Sequence, residues 1–571
     1  MSNTIWQPEQ VDVLEFNENK DLIVFASAGS GKTSVMVEKI VRYLESGVDV
    51  SQIIVVTFTN NSAADMRDKI SEKLKERIKG AKSEDMRNHL RKQIVDLPQA
   101  DIGTIDSFCN AIVQKHYEVI GVNPGLGVLS QGEETVLLLE AIQTEISEGI
   151  EREDQDLLVL GKYFSSGRNL GRLGEIIREI YYRTGAFPNQ EKELKKMRES
   201  CDIDVIENKA IKRLIDNFMI RARKLKEIVQ AKLSLSKELG NRYQNLINRL
   251  VEIGKEYSSM SDLCSRIEIA YSNFPVKILA AECKNKEERD RYNSAMKEVE
   301  GFINEMKTVF PDEKTVIEIE TSSRKVMLLL IDLTEAVIKR FELLKKDANK
   351  MSFSDVERYA LRILTEEKEG LEVPSKIARE ISESKKHIFI DEYQDTNNLQ
   401  EMILRRISNN NIFMVGDIKQ SIYMFRNSDP DIMKEKHDSF AKFKETGESK
   451  SLNYNYRSHQ KILKFVNDVF SAIMSESFGS VNYKKDSQMT AFNEFPEDKE
   501  IPPVTVKLFD KKDSEEEGGE EDPGYSVWPE VYSVSNAPRK EAKSDPEAEW
   551  VADAIVSMVG KEQIYDKKIS A

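Results

Sequence analysis

Leu22-Ile23-Val24-Phe25-Ala26-Ser27-Ala28-Gly29-Ser30-Gly31-Lys32-Thr33 is the stretch that decides the fold. Leu22 to Phe25 form a short apolar run that suits a strand buried on both faces, as in a parallel sheet. The glycines after it let a turn wrap an anion with backbone N–H groups, because no side chain stands in the way. Lys32 is then placed to reach the β- and γ-phosphates of a nucleotide, and the Thr33 hydroxyl to bind Mg2+. The helix that starts here points its positive end at the anion. Ala26 occupies the place of the first glycine in the strict phosphate-loop pattern.

Outward from this loop, Val35, Ile40 and Val41 mark a helix, Ile53-Ile54-Val55-Val56 a second strand, and Ala63 to Ile70 the helix after it. Strand, turn, helix, strand is the βαβ pattern of an open α/β sheet. From about Tyr117 to Met351 the chain turns charged and helical. Leu239, Tyr243, Leu246, Leu250 and Ile253 fall at alternating four- and three-residue spacing, which predicts a core-facing stripe in an all-helical domain, with coiled-coil pairing as the alternative. The strand-like runs His387-Ile388-Phe389-Ile390 and Ile412-Phe413-Met414-Val415 then bring the α/β character back. The helical region therefore reads as an insertion: residues 1–116 and 351–445 make one sheet domain, 117–350 the insertion, and 446–571 the start of a further α/β domain.

With 571 residues the chain is too long for one domain of about 100–200. It carries 84 Lys and Arg against 99 Asp and Glu, a net charge of −15 that argues mildly against a passive nucleic-acid binder. Much of the acid excess sits in Asp513 to Asp522, a tract that reads as a solvated linker. No apolar run approaches the roughly 20 residues of a membrane-spanning helix, and the N-terminus lacks a signal-peptide pattern. The cysteines Cys109, Cys201, Cys264 and Cys283 are too scattered for a disulfide framework or a zinc site, so a reducing cytoplasm is expected.

The second chemical signal is Ile388-Phe389-Ile390-Asp391-Glu392. Two carboxylates at a strand end beside a phosphate loop divide their labour: Asp391 to hold Mg2+, Glu392 to orient or deprotonate the attacking water. Further ordered motifs are Pro8-Glu9-Gln10, Thr57-Phe58-Thr59-Asn60, Gly103-Thr104-Ile105-Asp106-Ser107-Phe108-Cys109, Asp391-Glu392-Tyr393-Gln394-Asp395-Thr396, Val415-Gly416-Asp417-Ile418-Lys419-Gln420-Ser421-Ile422-Tyr423 and Leu452-Asn453-Tyr454-Asn455-Tyr456-Arg457-Ser458. This set resembles UvrD-like superfamily 1 DNA helicases. Within them it is most similar to the A subunit of AddAB-type, RecB-like helicase–nucleases, through Thr104 to Cys109, Phe353-Ser354-Asp355, Met424-Phe425-Arg426, Phe478-Gly479 and Glu547-Ala548-Glu549. Asp106, where His is more usual, and Asn61, where a basic or small residue often sits, depart from the family pattern.

The resemblance implies a RecA-like ATPase domain with a helical insertion and a partial second RecA-like domain. It implies ATP and Mg2+ bound by Gln10, which would recognise the adenine edge, by Ala26 through Thr33, and by Asp391. Gln420 would sense the γ-phosphate and Arg457 act as an arginine finger, joining Lys32, Asp391 and Glu392 in catalysis. Phe58, Tyr423 and Phe425 would stack on single-stranded DNA bases, while Thr59, Asn60, Ser107 and Arg426 hold its backbone. The implied activity is 3′ to 5′ ATP-dependent translocation on single-stranded or duplex-end DNA in double-strand-break processing, with an AddB-like second subunit. The alternative is a truncated ATP-binding module acting as a scaffold in a repair complex; the motif order counts against an unrelated phosphate-loop kinase or transporter. No second arginine-finger motif and no nuclease segment is recognised before Ala571, so the chain is expected to resemble the N-terminal half of a longer protein, with weak nucleotide binding and poor hydrolysis by itself.

Overall fold

The computed structural model describes residues 6–475 apart from 124, 165–169, 202–208, 235–238, 256, 273, 276, 280 and 425–426, together with 481–492, 504, 550–553 and 555–556. These residues divide into two compact units, Met1–Arg457 with Met474–Met489, and Ser458–Ile473 with Thr490–Ala571. The second unit contributes the helix Gln460–Ile473, which buries Leu463. Phe425, Arg426, the acidic tract, Phe478-Gly479 and Glu547 to Glu549 lie outside the described residues.

The first unit is built on six strands: β1 (Asp21–Ala26), β2 (Ile53–Thr57), β3 (Asp101–Thr104), β4 (His387–Ile390), β5 (Ile412–Gly416) and β6 (Gly447–Leu452). Their order is β6-β1-β5-β4-β2-β3, and every pairing is parallel. Alternation along each strand feeds two cores. Leu22, Val24, Ile53, Val55, Phe389, Phe413 and Val415 pack against the helices Lys32–Glu45, Asn60–Gly80 and Glu84–Asp96. Ile23, Ile54, Val56, Ile388, Ile390, Ile412 and Met414 face the helices Ile105–Lys115, Phe353–Leu364, Asn398–Ile407 and Pro430–Lys442. Helices on both faces make this a doubly covered α/β sheet, and they explain why its four central strands read as continuous apolar runs.

β6 spans residues that the sequence reading assigns to a further domain. It pairs with β1 from Asp21↔Gly447 to Ala26↔Leu452. Gly447 allows this, because the Phe440 ring of the helix Pro430–Lys442 lies where a Cβ would be. Ser451 and Leu452 thus extend the first sheet.

Between β3 and β4 the chain runs through long helices with two separate cores. One joins the helices Gln131–Glu151, Gln155–Phe164, Gly171–Gly185 and Gln190–Ser200; the other joins Lys209–Ser234, Gly240–Ile253, Met260–Tyr271 and Lys286–Val309. The stripe Leu239, Tyr243, Leu246, Leu250 and Ile253 lies wholly inside the second core, with no residue of it more than 6% exposed. One 35-residue helix, Glu313–Asp347, serves both, with Val316 in the second core and Val326 to Phe341 in the first. At about 1.5 Å per residue it is about 50 Å long. Where the insertion leaves and rejoins the sheet domain, Gly127–Val128 pairs in parallel with Lys350–Met351. Just beyond, buried Asp355 is paired by Lys345 and Arg358, so the long helix is tied by charge to the helix that starts at Phe353.

Candidate active site

Because all six strands run one way, the loops after them open on a single edge, the usual ligand edge of such sheets. After β1, Gly29 and Gly31 take positive φ values of 70° and 84°, and the helix Lys32–Glu45 starts directly behind them. The loop's carbonyls are held from outside. Asn455 Nδ2 donates to Ala28 O at 2.6 Å, the Tyr456 N–H to Gly29 O at 2.9 Å, and Gln10 Nε2 to Ser30 O at 3.3 Å. A Cβ on Gly29 would stand 2.7 Å from Asn455 Nδ2. Ala26 ends β1 at 1% exposure and belongs to the strand, and the Ser27 N–H continues its ladder to Leu452 O at 3.1 Å. With these carbonyls occupied, an arriving anion meets the loop through its N–H groups.

The two chemical signals, 360 residues apart in sequence, meet here: Lys32 Nζ donates to Glu392 Oε2 at 2.9 Å and to Gln420 Oε1 at 3.4 Å. Glu392 holds a left-handed backbone, φ 51°, which is uncommon outside glycine and turns the chain sharply at the end of β4. Asp391 is half-buried, and loss of solvation, reinforced by the neighbouring Glu392 and opposed by Lys32, pushes its carboxyl up to about 6. Burial and Glu392 likewise push Asp395 up to about 6. A carboxylate kept short of positive charge in this way fits a divalent cation. Among the described residues no cluster of three or more His, Cys, Asp or Glu side chains could hold a metal alone. Mg2+ does not require one: it is commonly held by one or two protein oxygens plus substrate phosphates, and Asp391 and Thr33, the latter in the first turn of the helix after the loop, are side chains that could supply such donors.

Gln10 is nearly buried; its Oε1 accepts the Gln7 N–H at 3.1 Å while Nε2 holds the loop. Each end of its amide makes one bond, which leaves a second N–H and a second lone pair for an adenine edge. Arg457 is exposed beside the loop: its N–H donates to Asn455 Oδ1 at 2.9 Å, and its Cβ stands 3.0 Å from where a Cβ on Gly29 would be.

Along the same edge, after β2, the ring of Phe58 stacks on Tyr423 with centroids 4.3 Å apart and planes at 28°. Ile422 and Met424, either side of Tyr423, are 68% and 67% exposed. Thr59 caps the helix Asn60–Gly80 by accepting the Ser62 N–H at 3.0 Å, and Asn60, its first residue, is exposed. The Ser107 hydroxyl lies 2.9 Å from that of Thr104, which caps the helix Ile105–Lys115. Thr59 and Ser107 therefore present two helix N-termini as well as two hydroxyls. A cavity of about 530 Å3 opens at the opposite end of the sheet, between Phe16, Lys39, Tyr43 and His387. The chemistry-bearing residues are elsewhere.

Sequence reasoning missed Gln394, Asp417 and Asn455, although all three stand inside the motifs it quotes. Asn455 clamps the loop; Asp417, 3% exposed, accepts Gln420 Nε2 at 2.7 Å and Lys419 Nζ at 2.7 Å. For Asp417 the available signal was a polar residue immediately after an apolar strand; Gln394 and Asn455 offered none.

The family model of the UvrD/REP helicase N-terminal domain matches residues 6–441. Among curated proteins, the A subunit of the ATP-dependent helicase/nuclease of Lactobacillus johnsonii is 31% identical over 525 residues, covering 87% of this chain and 42% of that protein. The protein of the same name from Staphylococcus epidermidis is 31% identical over 592 residues, covering 99% of this chain and 45% of its own length. That of Clostridium botulinum is 29% identical over 552 residues, covering 91% and 44%. The chain thus spans less than half the length of these relatives. With a single family model covering most of its length, the chain belongs to the UvrD/REP helicase family.

Proposed function

We propose that this chain is the ATP-hydrolysing motor portion of a helicase–nuclease A subunit that moves 3′ to 5′ on single-stranded DNA in double-strand-break processing, with an AddB-like partner. The observation that carries the reading is the meeting of Lys32 with Glu392 at 2.9 Å beside the loop glycines. Lys32 would leave this ion pair for the terminal phosphates of ATP, and the loop N–H groups would bind the rest of the phosphate chain. Thr33 and Asp391 would hold Mg2+, which when bound screens the phosphate charge. Glu392 would accept a proton from the attacking water, Gln420 would follow the γ-phosphate in place of its contact with Lys32, and Arg457 would neutralise charge on the transferred phosphoryl group. DNA would lie along the same sheet edge, with bases on the Phe58–Tyr423 stack and phosphates at the helix starts of Asn60 and Ser107, independent of sequence. No helix among the described residues is long and apolar enough to cross a membrane.

The test is steady-state ATP hydrolysis with and without single-stranded DNA. Strong stimulation supports the motor; a rate indifferent to DNA refutes it in favour of a scaffold. Glu392→Gln should keep nucleotide binding and slow turnover by about 100-fold or more; hydrolysis at the parent rate would remove Glu392 from the water-activating role.

A further inference from the structure

Gln394 closes a ring that the proposed mechanism leaves unexplained. Its side chain is 1% exposed in the turn after β4. Nε2 donates to Glu392 Oε2 at 2.9 Å and to Asp395 Oδ2 at 3.2 Å, and Oε1 accepts the Asp417 N–H at 2.8 Å. Asp417 Oδ2 accepts from Gln420, whose Oε1 accepts from Lys32, whose Nζ returns to Glu392 Oε2. The ring Lys32, Glu392, Gln394, Asp417, Gln420 therefore joins the ends of β1, β4 and β5 through side chains and one backbone N–H. Space is kept for it: a Cβ on Gly416 would stand 2.5 Å from Gln394 Oε1.

The ring has two kinds of link. Lys32 and Gln420 sit where the nucleotide's terminal phosphate is expected, so an arriving phosphate takes their contacts. The Gln394 links lie behind, buried, and touch nothing the phosphate would touch. When Lys32 lets go, Glu392 loses its cation yet keeps one N–H on Oε2, and its position on a left-handed backbone still has a support. Through the Asp417 N–H, the same amide is one bond from the residue that holds Gln420.

We propose that Gln394 is the positioning residue for the water-activating carboxylate: it holds Glu392 after Lys32 has moved to the phosphate, and it ties Glu392 to the strand end that carries Gln420. The inference rests on the proposed ATP hydrolysis. It assigns Gln394 no contact with substrate, so its loss should reduce turnover and spare binding. A misplaced catalytic group typically costs about 10- to 100-fold in rate.

Gln394→Met keeps length without either hydrogen-bonding function. Gln394→Leu likewise removes both functions, in a branched shape. Both are compared with the parent chain for Mg2+-dependent binding of a fluorescent ATP analogue, single-turnover hydrolysis of radiolabelled ATP, and thermal melting. The expected result is a loss of about 10- to 100-fold in turnover in both, with analogue affinity within about threefold of the parent. If either variant that melts like the parent turns over within twofold of it, the inference is overturned while ATP hydrolysis stands. Equal losses in binding and turnover would reduce Gln394 to a structural role and also overturn it. A parent chain that binds and hydrolyses no ATP overturns the underlying reading, and this inference with it.

Discussion

Glu357→Gln should make the protein more stable in alkali. Glu357 lies in the helix Phe353–Leu364, 6% exposed, with Gln400 Nε2 donating to its Oε1 at 2.7 Å. Burial, and then the like charge of Asp106, push its carboxyl from an ordinary 4.5 up to about 8, against the opposing pull of Gln400, Asn397 and Arg358. A raised carboxyl means that the folded state holds the proton longer than the unfolded chain. Below about 4.5 both states are protonated and nothing is lost. As pH rises towards 8 the unfolded chain gives up its proton first, and stability falls until the folded group ionises as well. At 1.36 kcal/mol per pH unit, the interval from 4.5 to about 8 is worth at most about 5 kcal/mol. Glutamine keeps the size and an acceptor for Gln400, and has no charge to bury. Urea unfolding of parent and variant, followed by circular dichroism from pH 5 to pH 9, reads this group with the Asp106 charge that repels it, because the titrations of groups that do not interact with it are common to both. The variant should match the parent near pH 5 and exceed it by about 2–5 kcal/mol at pH 9. Parallel curves, or a variant weaker at every pH, would refute the reasoning.

Lys32→Ala should abolish ATP hydrolysis and leave melting within a few degrees of the parent, since the partners it abandons include Glu392, already 37% exposed, and can turn to water; a cooperative loss of structure on circular dichroism would contradict this. Phe58→Ala removes one face of the stack with Tyr423 and should weaken single-stranded DNA binding by about 1–3 kcal/mol, equally for different base compositions, in a fluorescence-anisotropy titration. Unchanged affinity would place Phe58 in packing alone.

The sheet was legible because its signal is local. Leu22 to Phe25, Ile53 to Val56, His387 to Ile390 and Ile412 to Val415 are short apolar runs, each flanked by polar or turn residues, and each is a central strand covered on both faces. β6 lacks that signal. Its sequence, Gly447 to Leu452, is mostly polar and it lies at the edge, so only its pairing with β1 reveals it. The division of the helical insertion into two cores escaped for a related reason. The stripe from Leu239 to Ile253 says that one helix face is buried, and periodicity cannot say against which of the other helices.

The site was legible to the extent that its chemistry uses rare residue combinations, and illegible where it uses ordinary amides. Lys32 with two glycines before it, or two carboxylates after a strand, narrows the chemistry at once. Gln394 and Asn455 carry no such mark: an amide can donate and accept, and what it does depends in part on partners as far as 23 and 427 residues away. The same holds for Asp106. In sequence it is a departure from a family pattern that favours His; in the structure its charge falls beside the buried Glu357 and raises its proton affinity. A histidine in that place would offer Glu357 a donor or a positive charge, where aspartate repels it. The departure therefore acts on the proton balance of a buried carboxyl on a neighbouring helix, and pH, rather than DNA affinity alone, is the variable that exposes it.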